Sequence, residues 1–99
     1  MAVFAIIAQP QLGTANMLPA AVAAVFPNDF LAVAGNVWLV AHFGTAQDLS
    51  GKLGITEGTN GTAIVVEVGS YFGRADPNIW TWIKAKMEAP NGGQAAQKL

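Results

Sequence analysis

The chain predicts an α+β fold, and three observations predict it. Two apolar, β-rich runs, Ala2–Ala8 and Thr62–Val68, stand near the ends of the patterned part of the chain. A pair of β-rich runs, Phe30–Ala34 and Val37–His42, sits between them with a gap of only Gly35-Asn36, a hairpin signal. Two helix-like stretches separate the hairpin from the outer strands. The resulting order is β-α-β-β-α-β, the ferredoxin-like arrangement. It implies a four-stranded antiparallel sheet with two helices on one face, and a further helix follows the last strand. Residues 1–88 are read as one domain and residues 89–99 as a disordered tail, because PNGGQAAQKL carries no apolar pattern.

Each element has a local reason. Ala2–Ala8 is apolar at odd and even positions alike, which suits a central strand covered on both faces. In the first helix Asn16 is the candidate cap. Pro19 falls in the first turn, where the missing N–H costs nothing. Leu18, Val22 and Val25 share a face, and Phe26-Pro27 ends it. Gly35 and Asn36 both tolerate positive φ, as a tight hairpin turn requires. Thr45-Ala46-Gln47-Asp48 reads as a capping box, with Leu49 and Leu53 on one face and Gly54 as a left-handed stop. Asp76-Pro77 then opens the last helix.

That last helix has a broad apolar arc. With Ile79 at 0° and a step of about 100° per residue, Ile83 falls near 40°, Met87 near 80° and Trp80 near 100°. Trp82 falls near −60°, on the side of Lys86. An arc of roughly 160° is wider than one helix needs to dock on one sheet face. Trp80 is therefore expected in the core of the subunit and Trp82 at an interface.

Composition bounds the function. Of the 99 residues 53% are hydrophobic and 11% charged, against about 25% charged in an average soluble domain. A chain this small buries a limited share of its surface, so some apolar surface must remain exposed unless copies associate. A homodimer or higher homo-oligomer is expected, with room for a protein partner. The net charge is −1, and Lys52, Arg74, Lys84, Lys86 and Lys98 are scattered, which argues against a nucleic-acid partner. There is no cysteine, so disulfide and thiolate chemistry are excluded. The longest apolar stretch, Met17–Gly35, is interrupted by Pro19, Pro27, Asn28 and Asp29, so no membrane span is expected. The start, MAVFAIIAQP, lacks a basic segment and reads as a strand rather than a signal peptide, consistent with a cytoplasmic protein.

The residues that carry chemistry are few. His42 is the single histidine, at the end of the hairpin, and reads as a structural or surface residue. Asp48 and Asp76 are accounted for as helix caps. Glu67, inside a β-branched run, either faces solvent or is a buried carboxylate with a raised pKa. No metal-ligand spacing, phosphate loop or nucleophile elbow occurs, so no catalytic residue, metal or cofactor is assigned and an enzyme is not expected. The binding or interface candidates are Tyr71, Phe72, Arg74, Trp80 and Trp82. Two aromatics and an arginine in a loop, followed by two tryptophans, suit a hot spot at an interface, a stacking site for a flat ligand, or plain packing of the last helix.

Val37-Trp38-Leu39-Val40, Gly44-Thr45-Ala46-Gln47-Asp48-Leu49, Leu53 and the strand Ala63–Val68 together resemble the SinR-like relatives of the small CRISPR-adaptation endoribonuclease, over residues 2–68. The resemblance implies a ferredoxin-like fold and a dimer built through the sheet or the C-terminal extension. In the nuclease members an Asp at the end of the first strand holds a divalent metal. Here that strand ends Ala8-Gln9-Pro10, without a carboxylate. The function expected is a small non-enzymatic homo-oligomeric interaction or accessory module. A degenerate nucleic-acid-processing protein and a small-ligand-binding sensor dimer are the alternatives.

Overall fold

The computed structural model describes residues 1–9 and 17–88. The order is β1 (Ala2–Ala8), α1 (Leu18–Val25), β2 (Phe30–Ala34), β3 (Val37–His42), α2 (Ala46–Lys52), β4 (Ala63–Glu67) and α3 (Pro77–Glu88). The four strands form one antiparallel sheet in the order β2-β3-β1-β4, compatible with a ferredoxin-like fold. The cap candidate Asn16 and the tail 89–99 lie outside the described residues.

β1 is central, as its double-sided apolar pattern predicts. Ile6 pairs with Trp38 on one side and Val65 on the other. Alternation then sorts the sheet into two faces. Phe4, Ile6 and Ala8 join Trp38 and Val40 on the first face, against Leu18 and Val22 of α1, Leu49 of α2 and Leu53 at its C-cap. Val3 and Leu39 point the other way and meet Ile83 of α3. The C-terminal helix therefore covers the face opposite to the other two. This explains why β1 is apolar at every position and β3 from Val37 through Ala41.

At α2 the local signals act as their chemistry requires, and three expectations elsewhere are corrected. At α2 the capping box closes in both directions: Asp48 N–H donates to Thr45 Oγ1 at 3.1 Å, and Thr45 N–H donates to Asp48 Oδ2 at 3.2 Å. Gly54 adopts φ +72°. Its N–H donates to Gly51 O, and Ile55 N–H reaches Ser50 O at 2.9 Å, the two bonds of a Schellman stop. Asn60 holds this end, donating from its side chain to Leu53 O at 2.8 Å.

The first correction concerns the hairpin. Neither Gly35 nor Asn36 takes positive φ. The turn is accommodated by a register irregularity between Ala32 and Ala34, since an unprimed turn splays the strands and an extra residue recovers the pairing. Asn36 is instead tied across to β1, its carbonyl accepting from Ala8 N–H at 2.8 Å.

The second concerns α1. Its N-cap position is Met17, which forms no side-chain cap, and Val25 is exposed because the helix ends there. Phe26 packs against the core in its place. The third concerns α3. Ile83 is its buried residue, while Trp80 and Trp82 are both half-buried, so Trp80 is not the core tryptophan assigned above. Both tryptophans pack against the cluster around Ile83 and stay half-buried.

No helix among the described residues is long and apolar enough to cross a membrane.

Candidate functional site

The five aromatic and basic candidates do not converge on one site. Tyr71, in the segment between β4 and α3, stacks on Trp80 with ring centroids 5.8 Å apart and planes 17° apart. Trp82, on the other flank of α3, has the Lys86 ammonium 5.8 Å from its ring centre. Lys86 also forms an ion pair with Asp29 at 2.8 Å and so clamps α3 to the start of β2. Arg74 is exposed, and Phe72 is fully exposed. Packing thus accounts for Tyr71, Trp80 and Trp82, and leaves Phe72 and Arg74 in solvent. Glu67 faces solvent.

Two features with little signal in the sequence stand out. The first is an uncovered apolar strip. Ile7 lies on the α3 face of β1, two residues beyond Ala5, and pairs across with Ile64 of β4, while Ala5 pairs with Val66. Helix α3 reaches the half of the face that holds Val3 and Leu39, and it leaves Ile7, Ile64 and Val66 39%, 55% and 43% exposed. This strip borders β4, whose outer side pairs with no further strand among the described residues.

The second is a wide depression of about 580 Å³ beside α2, lined by His42, Phe43, Gln47, Asp48, Gly51, Lys52 and Thr56. His42 continues the apolar face of β3 and is only 4% exposed. Its ring sits between Phe4, at 5.9 Å, and the edge of Phe26, at 5.7 Å. Its Nε2 is buried without a hydrogen-bond partner among the described residues. An unpaired buried polar atom costs about 1–3 kcal/mol, so this one is unusual. Gly44, at φ +131°, closes over it: a Cβ added there would lie 2.9 Å from His42 Nε2 and 3.0 Å from Asp48 Oδ2. Only glycine fits at that position, both for its backbone and for its space.

Burial pushes the His42 pKa below its ordinary 6.5; the nearby Lys52 charge lowers it further and Asp48 opposes the shift. Because the folded-state value lies below the unfolded one, the unfolded chain takes up the proton first as pH falls. The stability tied to neutral His42 is therefore complete above the unfolded value of about 6.5 and is lost as pH drops through the folded value. Melting curves from pH 8 downward are expected to show this loss in the wild type and a flatter profile in His42→Phe. Identical profiles for the two proteins would show that His42 does not titrate in this way.

Among the described residues no three His, Asp or Glu side chains gather where a metal could be held. Comparison with protein-family models, with characterised proteins and with solved structures returns no match.

Proposed function

We propose that this chain is a small homo-oligomeric interaction or accessory module of the cytoplasm, with a ferredoxin-like topology, assembling through the β4 edge. The observation that carries this reading is the apolar strip Ile7, Ile64 and Val66 alongside that edge. The two sheet edges differ. β2 has an irregularity at Ala32/Ala34 and the Lys86–Asp29 clamp at its start, features that discourage edge-to-edge pairing. β4 is five residues, Ala-Ile-Val-Val-Glu, with no proline, no lysine and no bulge. An antiparallel pairing of two copies about Val65 sets Ile64 opposite Val66 of the second copy and Ala63 opposite Glu67. It therefore joins apolar side chains and keeps the two carboxylates apart. The merged strips would form one apolar surface across both subunits.

Sedimentation at micromolar concentration is expected to give a dimer or larger species. Val66→Lys, at an exposed position, is expected to yield a folded monomer. A wild-type monomer of 10.3 kDa would overturn the reading. So would a Val66→Lys protein that keeps the wild-type mass.

A further inference from the structure

We propose that the depression beside α2 binds a small carboxylate bearing an adjacent hydroxyl or amino group, with Lys52 holding the carboxylate and His42 and Asp48 receiving its neighbour. The site lies on the opposite side of the sheet from the apolar strip, so the proposal is independent of the assembly described above.

The charges are left open. Asp48 and Lys52 are four residues apart on α2, a spacing at which opposite charges on a helix commonly pair. They do not pair here: the one ion pair among the described residues joins Lys86 to Asp29. Asp48 is turned away because its Oδ2 accepts the Thr45 N–H of the capping box. Lys52 thus lines the depression with no carboxylate paired to it among the described residues. A carboxylate retains accepting capacity beyond one hydrogen bond, so Asp48 can still take a donor from a ligand.

His42 supplies the second open group. Its Nε2 is buried, has no partner among the described residues, and belongs to a residue in the wall of the depression. Gly44 puts no side chain against these atoms: Nε2 and Asp48 Oδ2 lie 2.9 Å and 3.0 Å from the point where a Cβ would stand. A polar group placed just outside that point would serve both.

These groups select a ligand. A lone cation favours an anion, but Asp48 alongside it repels a doubly charged phosphate more than a single carboxylate. A hydroxyl or ammonium next to the carboxylate turns Asp48 from a liability into a partner. Phe43, half-exposed at the rim, offers an apolar surface to the remainder of the molecule. A volume of about 580 Å³ accommodates a metabolite of this size.

The test titrates lactate, L-serine, acetate and inorganic phosphate, one at a time, into the full chain while the His42 ring resonances are followed by NMR. Saturable shifts with lactate, with serine or with both, and weaker ones with acetate and phosphate, are expected. Lactate acting alone identifies a hydroxy acid and serine acting alone an amino acid. Lys52→Met, on the exposed side of α2, is expected to fold normally and to weaken binding at least tenfold. The proposal is overturned if no probe shifts His42, if acetate and phosphate act as strongly as lactate and serine, or if Lys52→Met binds as the wild type does.

Discussion

Replacing Phe4 by alanine is expected to lower stability by about 3–5 kcal/mol, the usual loss for emptying a fully buried aromatic site. Phe4 is fully buried in the middle of β1. It belongs to the cluster that joins the sheet to α1 and α2, and its ring also flanks His42. Its removal therefore takes away core volume and one wall of the histidine's apolar cage together. Neighbours cannot readily collapse into the gap, because Phe4 is held between Val40 on β3 and Glu67 on β4 by the strand ladder. Denaturant unfolding with unchanged slope measures the difference. A loss below about 1.5 kcal/mol would mean that the site relaxes far more than a sheet centre normally allows. Domains of this size have only about 5–15 kcal/mol of total stability, so the variant should be marginal at room temperature.

The position of this core was legible because strand patterning is a strong signal. A run that is apolar on both parities can only be satisfied in the middle of a sheet with cover on both sides, and Ala2–Ala8 lies there. The α2 boundaries were equally legible, since Thr45, Asp48 and Gly54 each meet a hydrogen-bonding or φ requirement set by neighbours within a few residues. The hairpin turn was less so. Gly35-Asn36 permits positive φ but does not demand it, and the bulge that replaced it depends on how β2 meets β3. The depression was the least legible part. His42, Gly44, Asp48 and Lys52 follow one another in sequence, but their significance lies in what is missing: a partner for Nε2 and a partner for the ammonium. Absent contacts leave no pattern in a sequence. The exposed strip had the same difficulty. Ile64 and Val66 look like any other residues of a buried strand until the place where α3 stops is known.

Ile83→Ala is expected to cost more than Trp80→Ala, although tryptophan is the larger side chain. Ile83 is the buried residue of α3, 3% exposed, and it meets Val3 and Leu39 on the sheet. Cutting a buried isoleucine to alanine costs about 2–5 kcal/mol. Trp80 is half-buried, with Tyr71 stacked on it from the solvent side. Truncating it should cost about 2 kcal/mol, below the 3–5 kcal/mol of a fully buried Trp, because water already reaches part of the ring and Tyr71 can settle toward the helix. Helix α3 has no other fully buried anchor, so Ile83→Ala should loosen it as a unit while β1, β3, α1 and α2 keep their own core. Native-state hydrogen exchange is the informative measurement. In Ile83→Ala the α3 amides should exchange faster than those of β1, by subglobal opening, whereas in Trp80→Ala both should move together and by less. The reverse order of losses would place the helix's energetic centre on the Tyr71–Trp80 stack. Equal acceleration of β1 and α3 in Ile83→Ala would show that the two sheet faces unfold as one cooperative unit, with α3 as essential to the sheet as the two helices behind it.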